Sequence, residues 1–276
     1  VLYGTLAKKG FQTVITTHST HVSSEAPLGS VVALTLGNEA DVAANVPANT
    51  CGLTDSEVAD LERYLDATRS TLLYARKVIL VEGPSELFLI PALVKRVMRI
   101  DLDRQGVSVI PVFGVHFEPY VKLFCAEGLP KKCAIVADGD LTPEDLPATG
   151  PDEDAAPEPP DLDALEDEFV RVFRCQTTFE RALTLPGTLR VLEQACQECG
   201  APRCAAALGE FAQSLAAGEV DEERCRQQLD RLRARVLNTA KRHGKARFAQ
   251  VASKHVCLAE ELPSYIRNAV EWLCAP

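Results

Sequence analysis

Apolar and polar positions follow two rhythms along this chain, and the change from one to the other outlines its parts. Apolar runs at residues 12–17 and 31–36 predict two strands near the start, the first followed by a polar turn, Thr17-His18-Ser19-Thr20-His21. Residues 54–69 take a helical period: Val58, Leu61 and Leu65 line one face, with Thr54 placed as N-cap and Glu57 as its capping-box partner. From residue 77 strands and helices alternate, with strands expected at 77–81, 107–113, 133–137 and 171–173, the order of a parallel α/β sheet. A helix over 84–98 separates the first two. Pro84 falls in its first turn, where a missing N–H costs nothing, and Pro91 is expected to kink it or end its first half. From about residue 188 the period is helical to the end.

A chain of 276 residues has room for one large α/β domain with insertions or two modest ones. Its formal charge of -10 argues against a protein that coats nucleic acid through bulk positive charge. The acidity is local, however. Residues 143–168 hold eleven Asp and Glu, six Pro and no basic residue, which reads as an exposed loop. Ten cysteines without a regular framework fit a reducing, cytoplasmic compartment. Without a run of about 18 apolar residues, no membrane span is expected. The chain opens on Val1 just ahead of the apolar run at 12–17, which predicts a piece of a longer protein.

The chemistry concentrates where apolar strands end. Glu82 follows 77–81 directly, before Gly83 and the next helix, at the carboxyl edge where open parallel sheets bind ligands. Glu86 lies one helical turn further on. Asp138 and Asp140 follow the run at 133–137, with Gly139 between them for a tight turn. Singly, each has a plain structural reading: an acid in a first helical turn, or an ordinary loop triplet. Together they put four carboxylates at one edge of one sheet, an arrangement resolved by a hard cation or by raised pKa values. Oxygen-only ligands favour Mg²⁺ or Mn²⁺ over Zn²⁺.

The order Val81-Glu82-Gly83-Pro84-Ser85-Glu86, a strand ending near Gly114, then Ala137-Asp138-Gly139-Asp140 resembles the Toprim domain of topoisomerases, primases and a group of nucleases. Within that group the chain most resembles the OLD (overcoming lysogenization defect) family, which joins an ABC ATPase to a C-terminal Toprim nuclease. Thr16-Thr17-His18-Ser19-Thr20-His21 is similar to the ATPase switch-histidine segment; Thr178-Phe179-Glu180 and Gly244-Lys245-Ala246-Arg247-Phe248-Ala249 add further likeness. The resemblance implies a Rossmann-like parallel sheet with a helical insertion and C-terminal helices. It implies a DNA endonuclease or nickase using two Mg²⁺ or Mn²⁺ ions, held by Glu82, Glu86, Asp138, Asp140 and Glu180. Glu82, Asp138 and Lys245 would be the catalytic residues, with Lys245 approaching the scissile phosphate. It divides the chain into an ATPase remnant and linker (1–53), a Toprim core (54–185), a helical insertion (186–240) and a C-terminal helical part completing the site (241–276). The implied partners are DNA, an N-terminal ABC ATPase domain and a helicase-type or other protein.

Other residues have plainer readings. No G-x-x-x-x-G-K-[ST] loop is present, so no ATP site is expected here and His18 reads as an idle remnant. Arginines from Arg224 to Arg235 have acidic neighbours at helical spacing and read singly as a solvated face. Lys241, Arg242 and Arg247 have fewer and are candidates for contacting the DNA backbone. Cys196, Cys199 and Cys204 lack the second ligand pair that would make a zinc site, and buried thiols are the default. Two other functions compete: a catalytically inactive Toprim module that binds nucleic acid or a partner, and a primase or topoisomerase subunit.

Overall fold

The computed structural model describes residues 12–36, 42–65, 69–114, 116–139 and 161–275, together with Thr5 and Lys8. In chain order, a short helix α1 (Thr20–Ser23) leads to an antiparallel hairpin of β1 (Ala33–Leu36) and β2 (Val42–Asn45), then α2 (Pro47–Thr50) and α3 (Asp55–Tyr64). The α/β part follows with β3 (Lys77–Val81), α4 (Pro84–Val97), β4 (Val107–Pro111), α5 (Glu118–Val121), β5 (Cys133–Ala137) and β6 (Val170–Arg174). The remainder is helical: α6 (Phe179–Ala182), α7 (Leu189–Glu198), α8 (Pro202–Ala216), α9 (Glu222–His243), α10 (Lys245–Ser253) and α11 (Ser264–Cys274).

Strands β3 to β6 form one parallel sheet in the order β4-β3-β5-β6, the expected α/β core with helices following it. The central strands β3 and β5 read as near-continuous apolar runs because both faces are covered, whereas edge strand β6 alternates Val and Phe with the exposed Arg171 and Arg174. Ile79, Val81, Ala134 and Val136 pack on one side with α4 and α7 to α11, while Val78, Leu80, Cys133 and Ile135 pack on the other with Leu61, Phe117 and Phe124. Burying a side chain such as Ile79 or Leu80 contributes about 1.5–3 kcal/mol, so the centre of the sheet is its most firmly held part. The register sets Val81 beside Val136, and Ala137 beside Arg174. Consequently Glu82, Asp138 and Cys175 emerge together at one edge.

Local expectations were met in the main and corrected in four places. The capping box of α3 forms, with Thr54 Oγ1 accepting from Glu57 N–H and the Glu57 carboxylate accepting from Thr54 N–H. That helix stops at Tyr64 rather than continuing to residue 69. Residues 12–17 form no strand: among the described residues the run meets no partner strand, and Val14 is 90% exposed. The strand expected over 107–113 ends at Pro111, and Phe113 then takes a positive φ of 59°, which a continuing strand cannot accommodate. Helix α4 runs through Pro91 to Val97, so the proline does not end it, because burial of Leu89, Ile90, Leu93 and Val94 on the sheet outweighs one missing backbone hydrogen bond. Of the acidic, proline-rich stretch, the residues up to 160 lie outside those described.

Candidate active site at the carboxyl ends of the strands

Glu82 lies one residue beyond β3 and Asp138 one beyond β5, so neighbouring strands deliver both carboxylates to the same place. They are joined directly: the Asp138 backbone N–H donates to Glu82 Oε1 at 2.7 Å. The backbone on the far side is tied as well, with Gly114 N–H donating to the Glu82 carbonyl at 3.0 Å. Glu86, in the first turn of α4, is buried at 7% exposure and feels the charges of Asp138, Glu180 and Glu82. Glu180, in α6, is 3% exposed. Asp140 lies outside the described residues.

Gly139 serves the site differently from the tight-turn role that its sequence position suggests. Its φ is not positive; the requirement is space, because a Cβ there would lie 2.2 Å from the Cys175 carbonyl oxygen. The close approach is locked by Gly139 N–H donating to Thr177 O at 2.8 Å. Asp138 is thereby pressed against the turn that leads from β6 into α6, the turn that delivers Glu180.

Lys245 opens α10, and its Nζ is 3.0 Å from Glu180 Oε2. The contact is a close ion pair, and apart from this ammonium the buried Glu180 Oε2 has no hydrogen-bond partner among the described residues. The electrostatics follow from gathering so many acids around one cation. Burial, then the repulsion of Asp138, Glu180 and Glu82, pushes the Glu86 carboxyl up to about 8. Burial and Glu82 push Asp138 up to about 7 against the pull of Lys245, and Glu82 is raised chiefly by burial. Lys245 would be pulled down by burial, but Glu180, Asp138 and Glu86 outweigh that and hold it above the usual lysine value.

Two residues that sequence reasoning passed over also belong here. The Cys175 thiol lies 3.7 Å from Asp138 Oδ1 and 3.0 Å from Thr177 O. Buried Tyr265, in α11, hydrogen-bonds Cys175 and is raised well above the usual phenol value, by burial first and then by Cys175, Asp138 and Glu86. The signal for Cys175 was available, since it follows β6 as Asp138 follows β5. For Tyr265 there was none, because only the packing of α11 against the sheet brings it close.

The sequence candidates therefore divide. Glu82, Glu86, Asp138, Glu180 and Lys245 come together; Lys241 and Arg242, at the end of α9, and Arg247, in α10, are exposed on the helices flanking Lys245. Arg247 donates to Gln250 Oε1 at 2.9 Å. His18 rests near the Tyr74 ring, centroids 5.8 Å apart. Cys196, Cys199 and Cys204 are free thiols, and among the described residues no group of three or more His, Cys, Asp or Glu is assembled to hold a metal ion. The donor chemistry nevertheless suits a hard cation: carboxylate oxygens only, one of them buried against the Lys245 ammonium, and two carboxyls driven toward protonation by burial and by their neighbours.

Comparison with known proteins gives a consistent result. Residues 73–140, the segment carrying Glu82 and the Asp138 turn, match the family described as overcoming lysogenization defect protein-like, TOPRIM domain. The C-terminal region of the Xanthomonas campestris pv. campestris OLD protein is 30% identical over 74% of this chain and 94% of its own, with a TM-score of 0.48. The C-terminal region of the Burkholderia pseudomallei OLD protein is 29% identical over 72% and 96%, with a TM-score of 0.49. Comparison with curated proteins yields no match.

Proposed function

Because the chain belongs to the OLD (overcoming lysogenization defect) family and carries its Toprim domain, we propose that it cleaves DNA phosphodiesters as a divalent-metal-dependent endonuclease or nickase. The observation that carries this reading is the convergence of Glu82, Glu86, Asp138 and Glu180 on Lys245, whose ammonium pairs with the buried Glu180 carboxylate at 3.0 Å. In this reading Glu82, Glu86, Asp138, Asp140 and Glu180 hold two Mg²⁺ or Mn²⁺ ions. Such ions, when bound, neutralise phosphate charge and acidify water for in-line attack.

The chain's own residues do the rest. Glu82 is held by the Asp138 N–H, so the two carboxylates are oriented before any ligand arrives. Lys245, a compact point charge, turns from Glu180 toward a non-bridging phosphate oxygen and stabilises the charge that develops there. Lys241, Arg242 and Arg247 extend positive charge along the adjoining helices for the DNA backbone, which contributes affinity without sequence preference. We also propose that residues 54–185 are the Toprim core, 186–240 an insertion and 241–276 the part that completes the site with Lys245. Residues 1–53 would then be the remnant of an ABC ATPase and its linker, with a helicase-type or other protein as a further partner.

One observation favours a second reading, a Toprim module that binds nucleic acid or a partner without cutting. No ligand group is assembled among the described residues, and Lys245 closes on Glu180 instead. On those residues alone, this reading is the better supported. Supercoiled plasmid with Mg²⁺ or Mn²⁺ separates the two. Nicking by the unaltered chain that is lost in Glu82→Ala and Asp138→Ala supports hydrolysis; equal activity in both variants removes the site assignment. No calorimetric Mn²⁺ binding from micromolar to millimolar, together with retained DNA binding, establishes the second reading.

A further inference from the structure

Away from the carboxylates, a second cluster joins the segment preceding α3 to the loop after α5. Asn45 Nδ2 donates to Gly128 O at 3.1 Å, and the Thr50 hydroxyl donates to Glu127 O. Next to the second of these anchors Cys51 Sγ and Cys125 Sγ lie 3.5 Å apart, separated by 74 positions in sequence. Gly128 leaves the room they occupy: a Cβ there would lie 2.3 Å from Cys51 Sγ and 3.1 Å from Cys125 Sγ. Both thiols are only partly buried, and they line a cavity of about 430 Å³ with Thr50, Lys122 and Asp167. A small oxidant can therefore reach them.

We propose that Cys51 and Cys125 form a reversible disulfide, introduced by exchange with a low-molecular-weight disulfide such as oxidised glutathione, that fastens the 45–51 segment to the sheet domain. A disulfide requires two sulfurs already facing each other on backbone that can close the remaining distance. Here they are in contact at a seam that the Asn45 and Thr50 hydrogen bonds already hold together. The Cys125 thiolate attacks one sulfur of oxidised glutathione and releases one glutathione thiolate. Cys51, as its thiolate, then attacks the Cys125 sulfur of the mixed disulfide and releases the second. Two protein thiols are oxidised to one disulfide, one glutathione disulfide is reduced to two thiols, and the two protons pass to solvent or to the departing thiolates. Burial pushes the Cys51 thiol up to about 12, with Cys125 adding to the rise, so Cys51 is placed in the second, intramolecular step. Cys196 and Cys204 are both buried within the other core cluster, so they serve as an internal comparison.

The test is a thiol map of the whole chain after incubation with oxidised glutathione, with free thiols alkylated before digestion. The expected result is a Cys51–Cys125 linked peptide that disappears on reduction. In Cys51→Ser the same treatment should leave glutathione on Cys125, since the resolving thiol is gone. Thermal unfolding of the unaltered chain should shift upward on oxidation and return on reduction. Alkylation of both Cys51 and Cys125 in the oxidised sample overturns the proposal, as does a disulfide found only at Cys196–Cys204. Because the decisive map uses the unaltered chain, a poorly folding serine variant does not blunt it.

Discussion

Replacing Gly139 by alanine tests whether the close approach of two backbone segments, rather than turn freedom, sets the position of Asp138. The added Cβ would meet the Cys175 carbonyl oxygen at 2.2 Å, Gln176 C at 2.7 Å and Gln176 O at 2.8 Å. These are backbone atoms, so no side chain can swing aside; the segments must part by about 1 Å to reach ordinary van der Waals contact. Parting them breaks Gly139 N–H to Thr177 O (2.8 Å) and weakens Cys175 N–H to Ala137 O (3.2 Å). Two backbone hydrogen bonds at about 1 kcal/mol each, with overpacking of about 1–2 kcal/mol, give a loss near 3–4 kcal/mol. With a urea m-value of about 2–3 kcal/mol/M, the midpoint falls by about 1 M or more. Urea unfolding followed by circular dichroism reads this directly. Gly29→Ala is the control, since a Cβ at that position would have nothing within 4 Å and no loss is expected. An unchanged midpoint in Gly139→Ala, with Mn²⁺ binding also intact, would refute the reasoning.

Two further predictions concern what holds the sheet domain to its surroundings. Glu57 is held down to about 2, first by its hydrogen bond with Lys122 (2.6 Å) and then by the Thr54 N–H, so its folded pKa lies below the unfolded value. Its contribution is therefore complete above about pH 4.5 and is lost as pH falls toward 2. Discounted for solvent screening it amounts to about 1–2 kcal/mol; Glu57→Gln should flatten this part of the stability profile, and an unaltered acid limb counts against the assignment. Lys131 donates to three backbone carbonyls, Leu72 O (2.7 Å), Leu73 O (3.1 Å) and Ala75 O (2.8 Å), closing the turn before β3. Lys131→Met leaves all three unmet and should cost about 2–4 kcal/mol in urea unfolding; a loss below about 0.5 kcal/mol would show that water replaces the ammonium freely.

The centre of the sheet was legible in sequence because β3 and β5 are buried on both faces and so appear as short apolar runs that end at an acid, Glu82 or Asp138. The same signal misled at residues 12–17, where an apolar run has no strand among the described residues to pair with, and at Phe113, where a positive φ ends β4 early. Apolarity reports a tendency to be buried, whereas a strand also needs a neighbour for its backbone. At the site, Glu82 and Asp138 could be placed from local pattern alone, since each follows a strand directly. Glu180 and Lys245 came only through family likeness. A four-residue helix and a helix start have no periodicity that announces chemistry, and tertiary packing alone brings them to the sheet edge. Tyr265 escaped for the same reason, whereas Cys175 follows β6 directly and was open to the same reading as Asp138.

Glu180 is where the packing and the proposed chemistry can be separated most cleanly. A carboxylate only 3% exposed, among three other acids and paired with one cation, is expected to destabilise the metal-free protein. Lys245 offsets this in part, but with its side chain 41% exposed it remains well solvated and its pairing contributes little. Glu180→Gln keeps the shape, removes one charge from the cluster and so relieves the repulsion on Glu82, Glu86 and Asp138. The metal-free variant should gain about 1–2 kcal/mol in unfolding free energy while its calorimetric affinity for Mn²⁺ drops by about tenfold or more. A cost in stability with unchanged Mn²⁺ affinity would make Glu180 a structural partner of Lys245 and remove it from the ligand set. The opposite pair of changes is what a carboxylate retained for a cation produces, because the repulsion among these acids is relieved only when the charge that balances them is supplied.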